Sequence, residues 1–215
     1  MTFVRSESLV PHQQQHSALK ILRSADCYQQ KFLKFPYVAI THSWAELLNL
    51  ALLEADVLVT SFVPQPFRLR VGKRRYIPDC FFEREGKKYV VELKPEGADF
   101  DHIAEPVKMF FKTKNIDYSV ISNESIYEQS IFAENWLYIV RTLNTSKTID
   151  TDREECSLMD ELCQGPLTIG QALSLGDRLE TSQREIAIYK LAWRGQVELD
   201  LRNESLSADT EIKLC

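Results

Sequence analysis

Two carboxylates and a lysine, Asp79, Glu92 and Lys94, lie in two segments whose composition makes them neighbouring strands. Residues 75–83 (RYIPDCFFE) and 88–94 (KYVVELK) are rich in aromatic and β-branched residues. Between them stands Arg84-Glu85-Gly86-Lys87, where Gly86 supplies the positive φ a tight turn needs. A turn there pairs Glu83 with Lys88, so Phe81 faces Val90 and Asp79 faces Glu92. Directly opposed residues share a face with Cβ atoms about 4.5–5.5 Å apart. Lys94, two residues past Glu92, points to the same side. A one-residue bulge would undo this register, so the inference hangs on the turn.

Two carboxylates held so close repel unless a cation lies between them. Mg²⁺ suits the place: it is a hard cation that takes oxygen ligands and keeps several waters, and Mn²⁺ is expected to substitute. Asp79 and Glu92 would hold it, with the Leu93 carbonyl as a further oxygen. Such a metal polarises a phosphodiester and acidifies a bound water, while Lys94 orients that water or offsets charge in the transition state. The plain alternative is a surface hairpin whose carboxylates and lysine only balance one another.

The Pro78-Asp79 … Glu92-Leu93-Lys94 pattern resembles the PD-(D/E)xK nuclease superfamily. Upstream, His42-Ser43-Trp44-Ala45-Glu46-Leu47-Leu48 opens a helix. Leu52 to Val57 and then Phe62-Val63-Pro64-Gln65-Pro66-Phe67 lead into the motif strands. This order, over about residues 36–122, is similar to the TnsA endonuclease subunit of heteromeric cut-and-paste transposons. That resemblance implies a restriction-endonuclease-like α/β fold, with a mixed sheet flanked by helices. It implies Glu46, Asp79 and Glu92 as metal ligands and Lys94 as the residue that places the attacking water. It also implies hydrolysis at the 5′ ends of a transposon, with double-stranded DNA, a DDE-type transposase subunit and an AAA+ regulator as partners. Some members carry Gln two residues before the lysine; Glu92 is the more general form and the better metal ligand. Glu46 has a second reading, because Ser43-x-x-Glu46 is a capping box. Gln65, between two prolines, is expected to be a positioning residue in an extended segment.

Charge is unevenly spread. Residues 1–149 carry a net +2, residues 150–215 a net −7, and residues 65–94 a net +5. Arg68, Arg70, Lys73, Arg74 and Arg75 cluster before Asp79, and Lys108, Lys112 and Lys114 follow Lys94. Patches of this kind neutralise phosphates and make binding salt-dependent; solvated basic loops are the alternative. The five cysteines have no CxxC spacing and the four histidines no ligand spacing, which argues for reduced thiols and against zinc. No apolar run is long enough for a membrane span, and Met1–Glu7 shows no secretory signal, so a cytoplasmic protein is expected. Gly-rich phosphate loops and Gly-x-Ser-x-Gly elbows are absent.

Residues 1–18, with Gln13-Gln14-Gln15, read as a mobile polar arm, and residues 19–148 as the domain bearing the motif. Within it the pattern predicts a helix over 43–54, strands over 66–72, 75–83 and 88–94, a helix over 101–113 with Pro106 in its first turn or at its start, and a strand over 118–122. Ile126–Asn135 reads as a helix, and Trp136–Val140 as a strand or the next helix. The polar stretch Leu143–Thr148 marks a boundary. Beyond it, residues 149–215 read as three helices and a β-hairpin: Glu154–Gln164, a short helix capped by Thr168 and running to Leu175, and a third opened by Ser182-x-x-Glu185. Val197, Leu199 and Leu201 then alternate as a strand, with Glu211–Leu214 as partner. This is the pattern of a winged-helix domain. Its third helix offers Arg184, Lys190 and Arg194 against Glu185. The acidity of the whole suits a protein partner better than a duplex, as the family resemblance also implies.

Three rival functions stay open: a stand-alone restriction or repair nuclease of the same superfamily, a non-catalytic adaptor between DNA and partner proteins, and a winged-helix transcription regulator.

Overall fold

In the computed structural model the tight turn forms where the sequence predicts it: Glu85 and Gly86 both take positive φ, 50° and 73°. It joins β7 (Cys80–Arg84) to β8 (Lys87–Lys94) in antiparallel register, with Phe81 opposite Val90 and Glu83 opposite Lys88. Strand β4 (Val59–Pro64) pairs antiparallel with β7, and β9 (Asp117–Ser122) runs parallel to β8. The result is a four-stranded mixed sheet in the order β4-β7-β8-β9. Helix α2 (Asp101–Lys112) supplies the crossover that a parallel neighbour requires. The structure describes residues 3–6, 9, 11, 14–15, 26–174 and 178–215.

A second sheet forms from β1 (Val4–Ser6), β5 (Leu69–Val71) and β6 (Arg74–Tyr76), all antiparallel. Between the sheets lies one apolar cluster: Phe67, Leu69, Val71 and Tyr76 meet Phe81 and Val90, closed by Ala104, Val107 and Phe111 of α2 and by Tyr118. Period-two alternation places Cys80, Val91 and Leu93 on the opposite face. Helix α1 (Trp44–Ala55) buries Leu47, Leu48, Leu50 and Ala51. β2 (Tyr28–Lys31) and β3 (Val38–Thr41) form a separate antiparallel pair ahead of α1.

Several expectations need correction. The predicted strand 75–83 is two strands in two sheets, broken at Ile77-Pro78-Asp79. Pro78 has no N–H for a ladder and restricts the residue before it. The neighbour of β7 is Val59–Pro64 and not residues 66–72, whose strand belongs to the second sheet. Pro106 lies inside α2, beyond its first turn. Residues 1–18 are not a free arm throughout: β1 pairs with β5, the Gln14 side chain bonds both backbone groups of Ile40, and the Gln15 N–H donates to Gln65 O at 2.9 Å. Gln13, His12 and His16 lie outside the described residues.

The chain divides into compact units at Ser130/Ile131, earlier than the polar stretch near residue 148. The reason is α4 (Ser130–Thr145), which runs unbroken through the segment left open between strand and helix; α3 (Asn123–Tyr127) is a separate short helix before it. Ala133, Trp136, Leu137 and Val140, at helical spacing, are buried in α4. The second unit continues with α5 (Asp152–Leu162), β10 (Leu167–Thr168), α6 (Ile169–Leu173), α7 (Arg178–Trp193), β11 (Val197–Leu199) and β12 (Glu211–Leu214). Its strands form a sheet in the order β10-β12-β11. Thr168 caps α6 with a reciprocal box to Gln171; Leu175 lies outside the described residues. Ser182 is not a cap but an interior residue of α7, because favourable helix formers extend that helix towards its N-terminus. Gly195, at φ 70°, ends it, with the Gln196 N–H on Leu191 O at 2.9 Å.

All five cysteines are free, and among the described residues no helix is long and apolar enough to cross a membrane. The β7–β8 turn is testable alone. A Cβ on Gly86 would meet nothing within 4 Å, so Gly86→Ala isolates the backbone cost of positive φ. Urea unfolding is expected to show a loss of about 1–2 kcal/mol; an unchanged midpoint would mean that the turn does not need glycine.

Candidate active site

Asp79 stands where the chain passes from Pro78 into β7. Its Oδ2 accepts the Leu93 N–H at 2.7 Å, which ties it to β8 beside Glu92. Glu46 sits in the first turn of α1. The Ser43 Oγ accepts the Glu46 N–H at 3.1 Å, while the Glu46 carboxylate accepts the His42 N–H at 3.0 Å and the Ser43 hydroxyl at 3.2 Å. Glu46 is therefore a capping residue, and the same carboxylate also lines a cleft. That cleft is walled by Thr41, Glu46, Asn49, Leu50, Pro64, Asp79, Cys80 and Leu93. Thr41 Oγ1 and Asn49 Nδ2 are buried in it without a hydrogen-bond partner.

Glu92 is only 3% exposed and turns to the other side of β8. Its Oε2 accepts the Tyr76 hydroxyl at 2.6 Å and its Oε1 accepts Lys94 Nζ at 2.5 Å. Tyr76 and Tyr118 hydroxyls lie 3.1 Å apart, and Lys94 Nζ rests 4.8 Å from the centre of the Phe100 ring. The predicted β7–β8 register thus holds and Lys94 lies on Glu92's face, but there it forms an ion pair with Glu92, and Glu46 and Asp79 share a cleft that Glu92 does not line. Among the described residues, no three His, Cys, Asp or Glu side chains group as a ready metal cage.

The donor set is of the oxygen-rich kind a hard cation takes, but the cleft as it stands has no room for a water molecule, so a hydrated cation would have to open its walls. Glu46, Asp79 and Leu93 are oxygen-bearing groups on one cleft, and the unpartnered Thr41 and Asn49 atoms suit hydrogen bonds to metal-bound water. Burial first, and then the charges of Glu92 and Glu46, hold the Asp79 carboxyl well above the usual carboxylate range, against the pull of Lys94 and the Leu93 N–H. Burial also raises Glu92, although Lys94 and Tyr76 oppose it. Burial disfavours the Lys94 ammonium, but Glu92, Asp79 and Glu46 outweigh it and raise its pKa, so this lysine stays charged. Tyr76 is raised by burial and by Glu92, which keeps it a donor.

Two residues link the carboxylate-bearing elements. Gln65 is not extended as expected: it takes φ 47° between two prolines, an unfavourable conformation for a non-glycine residue. Its N–H donates to Asp79 O at 2.8 Å and its Nε2 donates to His42 Nδ1 at 2.6 Å. The His42 proton is then on Nε2, which is buried without a partner. Gln65 therefore couples the residue before the α1 cap to the backbone of Asp79. Only the Pro-Gln-Pro spacing hinted at this role. Tyr76, Tyr118, Thr41 and Asn49 carried no sequence signal.

Among the basic candidates, Arg68, Lys73, Arg74 and Arg75 are exposed in and around the β5–β6 hairpin, and Lys108, Lys112 and Lys114 are exposed on or just after α2. The structure does not merge the two groups. Helix α2 packs on the core side of the second sheet, so its lysines face away from that sheet's outer face. Arg74 lies on the core-side register and bonds His102 at 3.0 Å.

No family model matches this sequence, and no curated protein matches it. The family resemblance therefore rests on the short sequence motifs alone.

A raised folded-state pKa means that the native chain holds the Asp79 proton longer than the unfolded chain. The corresponding stability is present at low pH and is lost as pH rises from about 4 through the raised value. Asp79→Asn keeps an acceptor for the Leu93 N–H but cannot ionise. In EDTA it is expected to melt above wild type at neutral pH, with the gain shrinking as pH falls towards about 4. Parallel melting curves at every pH would contradict the shift.

Proposed function

We propose that this chain is a divalent-metal-dependent DNA endonuclease subunit of TnsA type, acting at the 5′ ends of a transposon beside a DDE-type transposase. The observation that carries the reading is the convergence of Asp79 and Glu46 on one cleft with Leu93. Glu92 and a permanently charged Lys94 stand immediately behind on β8. Mg²⁺, or Mn²⁺ in its place, would be held by Asp79, Glu46 and the Leu93 carbonyl, and would supply phosphodiester polarisation and an acidified water. Glu92 joins the ligands only by releasing Lys94 or Tyr76. Lys94, once released, has the reach and charge to orient the attacking water or to meet charge developing on the phosphate. Cys80, Leu50 and Pro64 line the same cleft and limit water around Asp79.

The order helix, strand, a strand hairpin, crossover helix and parallel strand supports a restriction-endonuclease-like core. In the second unit the order α5-β10-α6-α7-β11-β12 supports a winged-helix reading. Three cations in and just after α7 are nevertheless spent internally, whereas Arg178 at its start is exposed. Arg184, 5% exposed, donates to Ala172 O at 2.6 Å and to Glu161 at 2.7 Å; Lys190 bonds Ile149 O and Thr151; Arg194 pairs with Glu155. This favours a protein partner, an AAA+ transposition regulator, over an operator duplex. The proposed setting is cytoplasmic.

One observation favours a second reading, a non-catalytic adaptor: both Glu92 oxygens are already engaged, and among the described residues no metal cage is preassembled. Alanine at Asp79 or Lys94 separates the two. In the assembled transposition complex with Mg²⁺, 5′-end cleavage is expected to fall by at least about 10³-fold for either variant, the scale of losing a main electrostatic group. Cleavage at wild-type rate by both variants would establish the adaptor.

A further inference from the structure

The outer face of the β1-β5-β6 sheet carries a row of like charges. Arg70 is directly opposite Arg5 on one side and Arg75 on the other. All three are exposed, and among the described residues none forms an ion pair. Like charges placed directly across a sheet destabilise it. Neighbouring strands lie about 4.7–4.9 Å apart, so three guanidinium groups stand abreast within reach of one another. The row is not incidental to a loop. The Gly72 N–H donates to Phe3 O at 2.9 Å, which fixes β1 at the hairpin turn, and the Arg5 guanidinium lies 4.9 Å from the centre of the exposed Phe3 ring. The opposite side of the same strands puts Leu69, Val71 and Tyr76 into the core, so the register cannot slip to separate the arginines.

We propose that this face is a docking platform for the phosphate backbone of a nucleic-acid duplex, with Arg5, Arg70 and Arg75 each taking a phosphate. Planar guanidinium forks match phosphate oxygens, and the face presents cations where a protein interface would need an apolar centre. Backbone contacts of this kind position a duplex without reading its sequence. The N-terminal strand thereby becomes part of the DNA-binding machinery, which the basic run 68–75 alone does not include. The inference rests on the DNA-directed half of the function proposed above and not on metal-dependent hydrolysis.

The test is fluorescence anisotropy of the full chain with labelled duplexes of unrelated sequence, in EDTA, across a salt series. Each of Arg5→Gln, Arg70→Gln and Arg75→Gln is expected to reduce the slope of log K against log salt by about 0.9, and the triple variant by about 2.7, alike for every sequence. Removing like-charge repulsion is expected to leave the melting temperature unchanged or raised, whereas a structural role would lower it. An unchanged slope in the triple variant overturns the platform and leaves the DNA reading standing. Displacement of the duplex by polyglutamate at equal charge concentration overturns it in favour of an acidic protein, and no wild-type duplex binding removes both the platform and the DNA reading. Cleavage by Asp79→Ala would remove hydrolysis at this site and leave the platform standing.

Discussion

Slipping β8 against β7 by one residue would turn Val90 out of the core and carry Glu92 and Lys94 to the opposite face. The pairing of these two strands is thus the constraint on which the rest depends. The tight turn at Glu85-Gly86 enforces it locally, and apolar burial enforces it globally. Strand β9 adds a parallel edge that places Tyr118 beside Val90, which lets the Tyr118 hydroxyl reach Tyr76. Fold and candidate site are therefore specified by the same few contacts.

Such a register concentrates negative charge. Glu92 is buried, the partly buried Asp79 feels its charge, Glu46 approaches from α1, and among the described residues Lys94 is the cation that offsets Asp79. Burial of this kind is unfavourable unless hydrogen bonds and opposite charge compensate. Here Leu93 N–H, Tyr76, Ser43 and His42 N–H supply the bonds. The backbone of Gln65, at φ 47° between two prolines, adds local strain beside Asp79, whose carbonyl accepts its N–H. Under the endonuclease reading, a bound cation relieves the repulsion.

The sequence made local features legible where a single physical rule decided them. The β7–β8 turn follows from Gly86, the facing pairs follow by counting, and the cap at Ser43 follows from its spacing to Glu46. Longer-range choices were hidden. Nothing local says that Pro78 hands the chain from one sheet to another, although it explains the break once seen. Residues 66–72 read as a strand and Val59–Pro64 did not, yet it is Val59–Pro64 that tertiary packing pairs with β7. Trp136–Val140 suited either strand or helix, and the buried helical stripe from Ala133 to Val140 decided it. Arg5 looked like part of a polar arm, because pairing between residues so far apart in sequence leaves no local trace.

The two units treat their cations in opposite ways, and that contrast bears on what each is for. In the second unit Arg184, Lys190 and Arg194 are tied to Glu161, Thr151 and Glu155, which leaves Arg178 at the start of α7 as its exposed cation and the unit acidic as a whole. In the first unit Arg5, Arg70 and Arg75 stand in a row with no ion pair among the described residues. Their mutual repulsion is screened by solvent and falls further when an anion binds. Under the function proposed above, the exposed arginine row of the first unit suits the phosphates of a duplex, and the acidic second unit suits a protein surface.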